Sequence, residues 1–181
     1  MTPNLDLARE LLKNPAYPRT AMGDPDWMVG PLYEFLWHCN GSPLDKVILD
    51  CGAGGDPPPL SLFHQYRYRT YGVEIAEEAL GKAQQFCQAT GMALNTLRGD
   101  VCDIPFANES FGFVYSFNAI FFMTKPDIAR AMSEIERVLK REGLCFVNFQ
   151  SVDDLDNDPF CETAPLRRLL QSERFAKHAD Y

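Results

Sequence analysis

The run ILDCGAGGDPPPL, residues 48–60, is the feature that most constrains this chain. An apolar segment reaches Asp50 and passes straight into Gly52, Ala53, Gly54 and Gly55 before any helix can begin. Glycines at such a point let the backbone turn sharply and let a ligand approach it closely. Glu74 ends the next apolar segment, 22 residues after Gly52. A carboxylate at that spacing is placed to accept hydrogen bonds from a ribose lying over the strand ends. Turn and carboxylate together point to an adenosine-containing ligand.

From residue 47 onward, short apolar runs alternate with helical periodicity, the pattern of βαβ units and a parallel sheet. Strands are expected over 47–51, 70–74, 94–98, 111–117 and 143–150. Between them, Ala79, Leu80, Ala83, Phe86, Cys87 and Thr90 share one helical face, and Ile128, Ala131, Met132, Ile135, Val138 and Leu139 share another. The second helix carries its own punctuation. Thr124 is placed to cap it, Pro126 and Asp127 suit its first turn, and Lys140 and Arg141 precede Gly143 at its end. The expected architecture is α/β, a Rossmann-like doubly wound sheet with parallel strands in the order 3-2-1-4-5. Its ligand lies over the carboxyl ends of strands one and four, where the order reverses.

Upstream, Leu32, Phe35, Leu36 and Cys39 mark a helix opening near Pro31, and residues 5–13 suit another. Residues 14–26 hold three prolines and read as a loop or lid. The chain thus divides into N-terminal helices and a lid over 1–45, a ligand-binding core over 46–150, and an acidic linker with a helical tail over 151–181. At 181 residues it suits one domain, burying roughly 70% of the surface of the unfolded chain.

Charge and cysteines narrow the function. A net charge of -8 disfavours nucleic acid as a partner, since phosphate binding draws on clustered Lys and Arg. Cysteines at 39, 51, 87, 102, 145 and 161 form no CxxC pair and no metal-ligand spacing. They read as core fillers in a reducing compartment, with no metal expected. Asp154, Asp156 and Asp158 imitate a calcium loop, but Pro159 and Pro165 stand where that loop needs glycine and glutamate. The first residues carry charges where a secretion signal needs an apolar core, and the longest apolar run, 111–123, is interrupted by Ser116 and Asn118. A cytoplasmic location without a membrane span is expected.

Local charge discriminates between adenosine ligands. A pyrophosphate wants free N–H groups and no nearby anion. Here Asp50 and Asp56 flank the turn, and Pro57, Pro58 and Pro59 offer no N–H. A sulfonium carrying an ammonium group has the opposite needs, because carboxylates favour both positive centres. The chemistry prefers S-adenosylmethionine to a nicotinamide dinucleotide.

These motifs resemble those of the class I S-adenosylmethionine-dependent methyltransferases (type 11 domain), particularly the small-molecule branch with the ubiquinone and menaquinone biosynthesis enzymes. ILDCGAGG is similar to that family's first motif and YGVEIAEEAL to its second. RGDVCDIPFANESFGFVYS resembles the third with its run into the fourth strand, and MSEIERVLKREGLCFVNF the helix and fifth strand. The resemblance implies that Asp50 and the turn Gly52, Ala53 and Gly54 hold the methionine part. It implies Glu74, with Ile75 beside it, at the ribose, Asp100 and the Val101 backbone at the adenine, and Phe117 against the ligand. Phe121 and Phe122 stand where many relatives carry a histidine pair, so no role of those histidines carries over. The closing hairpin of that family has no counterpart in residues 151–181, which implies a shortened fold or a piece of a longer chain. The fifth strand then needs covering by residues 151–181 or by a second chain.

Methyl transfer from a sulfonium is a direct displacement, so the protein's main task is alignment in a dry pocket. No catalytic base is nominated among these residues, and His38, His64 and His178 share no motif. The expected activity is methylation of a small-molecule acceptor, leaving S-adenosylhomocysteine. The alternative is a catalytically silent module that binds S-adenosylmethionine and regulates a partner.

Overall fold

The computed structural model describes residues 26–149. The chain runs α1 (Asp26–Gly41), β1 (Val47–Cys51), α2 (Leu60–Gln65), β2 (Arg69–Glu74), α3 (Glu77–Thr90) and β3 (Thr96–Arg98). It continues through β4 (Phe111–Ser116), a 3-10 turn (Ile120–Phe122), α4 (Lys125–Val138) and β5 (Leu139–Val147). All neighbouring strands pair in parallel, in the order β3-β2-β1-β4-β5. This is the order expected from the alternation of the sequence.

Strands β1 and β4 occupy the middle of the sheet, and every one of their residues is buried. That explains why they read as continuous apolar runs rather than as alternating ones. Ile48, Phe113 and Tyr115 face one layer with Leu32, Phe35 and Leu36 of α1 and Leu60 and Phe63 of α2. Leu49, Cys51, Val73 and Val114 face the other with Ile135 and Val138 of α4. Each such fully buried side chain contributes roughly 1.5–3 kcal/mol relative to exposure. Helix α1 therefore shares the core of the sheet.

Several boundaries differ from expectation. Helix α1 opens at Asp26 and carries Pro31 in its interior, not at its start. β3 is shorter because Asn95 adopts φ +51; Leu94 before it is buried in the core beside α1. Thr124 caps α4 as expected, accepting from Asp127 N. The other end of that helix departs from expectation. α4 stops at Val138, and Leu139 turns extended to pair with Phe111 at the start of β5. Lys140, Arg141 and Gly143 consequently belong to β5 and do not end the helix. The register jumps from Phe111 opposite Leu139 to Phe113 opposite Leu144, and Glu142 in the extra residues takes φ +63.

β5 is an outer strand of the described sheet, with no fully buried residue. The segment expected to cover it lies outside the described residues. So do the helix at 5–13, the lid apart from Asp26, the acidic run at 154–158 and the position of any closing hairpin. No helix among the described residues is long and apolar enough to cross a membrane.

Candidate functional site

The turn after β1 is shaped by crowding. Gly52 adopts φ +113, a conformation L side chains rarely reach. Its N–H and that of Ala53 both donate to the Val73 carbonyl, at 2.9 and 3.0 Å, which ties the turn across to β2. A Cβ on Gly52 would stand 2.3 Å from the Ala119 Cβ. One on Gly54 would stand 2.6 Å from the Ala79 Cβ and 2.8 Å from Glu74 Oε2. Three neighbouring elements therefore close on bare backbone.

Above that turn, at the carboxyl ends of the strands, lies a cavity of about 810 Å³. Gly52, Gly54, Glu74, Ile75, Asp100, Val101 and Phe117 all line it, brought together from the ends of four strands. Glu74 closes β2, and its Oε1 accepts from Ala76 N at 2.7 Å. Asp100 follows β3, and its Oδ1 accepts from Cys102 N at 2.8 Å. Each carboxylate is steadied by a backbone N–H two residues on, a local turn in which the acid holds its own chain.

Asp50 and Ala53 do not line the cavity. Ala53 is fully buried beneath it, where a Cβ on Gly72 would come within 2.3 Å of the alanine methyl. Asp50 is buried at the centre of the sheet, and its Oδ2 accepts from the Tyr115 hydroxyl at 2.8 Å. Its Oδ1 has no partner in the protein. Burial, opposed by the Tyr115 hydrogen bond and aided by the charge of Glu74, pushes the Asp50 carboxyl up to about 8. The charge of Glu74 thus adds to what burial does to Asp50.

Other lining residues carried no sequence signal. Asn118, Ala119 and Ile120 follow β4, Met123 stands between the 3-10 turn and α4, and Asp127 and Arg130 come from the start of α4. The first three could have been found from the rule that ligands lie where strand order reverses, between strands one and four. The others could not, because only packing brings α4 to the cavity. Asp127 is held by Thr124 Oγ1 at 2.6 Å and by Arg130. Phe122 lines the cavity half-exposed, its ring 4.2 Å from that of Phe121. Phe113 and Tyr115, by contrast, are core residues. No cluster of metal-ligating side chains occurs among the described residues.

A parallel sheet in this order, with a glycine-floored cavity over its carboxyl ends, defines a Rossmann-like nucleotide-binding architecture. Residues 49–147 match the family described as Methyltransferase domain. The chain belongs to that family, and membership implies S-adenosylmethionine as its cofactor. Among curated proteins it is 30% identical over 128 residues to a sterol 24-C-methyltransferase of Gibberella zeae, covering 69% of this chain and 33% of that one. It is also 30% identical over 97 residues to an uncharacterized methyltransferase, YcgJ, of Bacillus subtilis, covering 53% and 37%. Matches to such relatives span only 26% to 45% of their lengths.

Solved structures share the fold. The PH0226 protein of Pyrococcus horikoshii superposes with a TM-score of 0.62 at 21% identity, covering 72% of this chain and 58% of that one. A protein of Methanococcus maripaludis described as a putative S-adenosyl-L-methionine-dependent methyltransferase gives 0.59 at 18%, covering 84% and 75%. The residues here fit the implied cofactor. The floor is bare backbone, Asp50 keeps an unpartnered buried oxygen, and the rim is rich in carboxylates.

Proposed function

We propose that this chain is an S-adenosylmethionine-dependent methyltransferase acting on a small-molecule acceptor by direct displacement. One observation carries the reading: a glycine floor and the carboxylates of Glu74 and Asp100 converge on a single cavity, with Asp50 buried beneath. When bound, S-adenosylmethionine supplies a methyl group on a sulfonium sulfur that leaves as a neutral thioether. Gly52 and Gly54 would then admit the amino-acid part against the backbone, while the Glu74 carboxylate would set a negative field that favours its positive centres and Asp50 would lie beneath, its carboxyl pushed up to about 8 by burial. Glu74 would accept from the ribose hydroxyls, Asp100 would accept from the adenine amine, and the Val101 N–H would donate to the ring. Phe117 and Phe122 line the same cavity, where alignment would supply most of the acceleration.

The prolines support the choice of ligand, since Pro57 and Pro59 line the cavity and present no N–H to a pyrophosphate. A cytoplasmic location belongs to the same proposal. It is supported by free Cys39, Cys51, Cys87, Cys102 and Cys145.

Calorimetry with S-adenosylmethionine, S-adenosylhomocysteine, NAD and NADP tests the cofactor, with binding expected for the first pair alone. Preference for a dinucleotide sinks the reading. Acceptor screening with radiolabelled S-adenosylmethionine then tests turnover, starting from sterols and quinols because the matched relative methylates a sterol by name and the motifs resemble quinone-pathway enzymes. Binding without turnover on any small molecule would leave only a regulatory module.

A further inference from the structure

The loop between β3 and β4 carries Asp100 and Val101, yet the strongest interactions holding it lie at its far end. Arg137, on the last turn of α4, reaches over that loop with its whole guanidinium. Nη2 donates to the Ile104 carbonyl at 2.8 Å, and Nη1 donates to the Phe106 carbonyl at 2.7 Å and to Asn108 Oδ1 at 3.0 Å. Nε and Nη2 also donate to the Glu134 carboxylate, at 2.8 and 2.6 Å. Glu134 Oε2 in turn accepts from Ile104 N at 2.8 Å, so both backbone groups of Ile104 are held by one ion pair. The Arg137 carbonyl accepts from Glu109 N at 2.9 Å. At the other end of α4, Cys102 Sγ meets the Asp127 carbonyl at 3.4 Å. Helix α4 thereby grips the loop on both sides of Ile104, whose side chain is buried in the core with Ile135 and Val138.

A planar fork with five donors is what this arrangement uses. Lysine is a point charge and could satisfy Glu134 or one carbonyl, but not Ile104, Phe106 and Asn108 together. The pair is only partly exposed, 30% and 20% for the two side chains, so its bonds are less weakened by water than those of a surface pair.

We infer that Arg137, oriented by Glu134, is a positioning residue that presets the Asp100–Val101 corner and so sets the selectivity of the site for the adenine base. The inference rests on the assignment of Asp100 and Val101 to adenine under the proposed function. A corner held by its own two-residue turn alone can rotate, whereas one fixed at Ile104 and Cys102 meets the base ready-made. Displacements near 1 Å are enough to weaken such recognition by up to about 100-fold.

The test compares S-adenosylhomocysteine with S-inosylhomocysteine, in which a carbonyl replaces the adenine amine and the ring nitrogen carries a proton. Both hydrogen bonds assigned to the corner are reversed in that analogue. The unaltered chain is expected to prefer the adenine compound by about 100-fold, equivalent to two hydrogen bonds. Arg137→Ala is expected to reduce the preference to about 10-fold or less, and Arg137→Lys to do nearly the same. Arg137→Lys also serves if the alanine variant fails to fold. A general loss of stability lowers both affinities together and leaves their ratio alone. Glu74→Ala supplies the contrast, weakening both ligands with the ratio kept. Selectivity unchanged in the folded Arg137 variants overturns this inference while the cofactor reading stands. No binding of S-adenosylhomocysteine by the unaltered chain overturns that reading and this inference with it.

Discussion

The part of the site between Gly52 and Glu74 is shaped by side chains that are missing, whereas the part between Asp100 and Asn148 is shaped by side chains that reach about thirty positions along the chain. In the first part, a Cβ on Gly52 or Gly54 would overlap Ala119 or Ala79, and the Gly52 and Ala53 N–H groups bind the Val73 carbonyl, so neither glycine has room for a methyl group. In the second, Arg137, Glu134, Asn118 and Asn148 each make bonds that can be lost singly. A wall closed by sterics should fail abruptly and one tied by polar bonds should fail by degrees. The following variants separate these two behaviours.

Gly52→Ala is expected to have the largest effect. Its methyl would lie 2.3 Å from the Ala119 Cβ at a backbone φ of +113, combining overlap with strain. Overpacking and an unfavourable φ each cost about 1–3 kcal/mol, so several kcal/mol of stability and most cofactor binding should disappear together. Denaturant titration checks this, and a loss below about 1 kcal/mol would mean that the turn yields.

Glu74→Ala follows, with an effect on binding rather than on folding. Removing charge-assisted hydrogen bonds worth roughly 1.5–3 kcal/mol each should weaken S-adenosylhomocysteine by about 10- to 100-fold, water recovering part of the loss. Glu77 and Glu78 open α3 and are the controls, Glu78 pairing with Lys82 at 2.9 Å on the helix surface. Alanine at either should leave affinity unchanged. Equal affinities for all three variants would reduce Glu74 to a solvated strand end.

A third expectation concerns Asp50 and the pH. Its folded value, pushed up to about 8 by burial, lies above the ~3.9 of an unfolded aspartate. Between those values the folded state holds a proton that the unfolded state has lost. Stability should therefore fall as the pH rises from about 4 to about 8, approaching ~1.4 kcal/mol per pH unit where the difference is one proton. Asp50→Asn keeps an acceptor for the Tyr115 hydroxyl and should remove that part of the slope. Urea midpoints at several pH values measure it, and identical slopes in both proteins would show that Asp50 is ionised in the folded chain.

The same contrast explains what could be read without coordinates. That Gly52, Gly54 and Glu74 share one cavity is legible because a strand, a turn and an acid occupy neighbouring positions, whereas Asp100 is reached only through the family resemblance. Sheet order followed from the alternation of elements. The end of α4 was not legible, since Lys140, Arg141 and Gly143 imitate a helix terminus while the pairing of Leu139 with Phe111 wins. Pro31 likewise suggested a helix start, but the packing of Leu32, Phe35 and Leu36 supports a helix that runs through it. Arg137 and Asn148 gave no signal at all, because their partners are distant in sequence. Asp50 gives no sign in the sequence of its hydrogen bond from Tyr115, 65 positions away.

The smallest effect is expected at the pair Asn118 and Asn148, and it tests the polar wall most directly. Asn118 follows β4 with φ +53, its N–H donates to Asn148 Oδ1 at 2.7 Å, and Asn148 Nδ2 donates back to Asn118 Oδ1 at 2.6 Å. The reciprocal amides tie the end of β4 to the residue after β5, beside the cavity that Asn118 lines. Alanine at 118 would confound loss of the amide with strain at positive φ, so Asn118→Gly is the better variant, paired with Asn148→Ala and the double variant. Neutral hydrogen bonds contribute about 0.5–1.5 kcal/mol, and the exposure of Asn118 favours the lower end. Each single variant should therefore cost about 1 kcal/mol or less and weaken cofactor binding by under about 5-fold. The double variant should cost less than the sum, leaving a coupling of roughly 0.5–1 kcal/mol in a double-mutant cycle. Coupling below about 0.3 kcal/mol is the additivity of independent sites, and it would show the two amides to be neighbours without mutual support. Loss of the fold in either single variant would break the comparison from the other side, since a wall tied by many modest bonds should survive the removal of one.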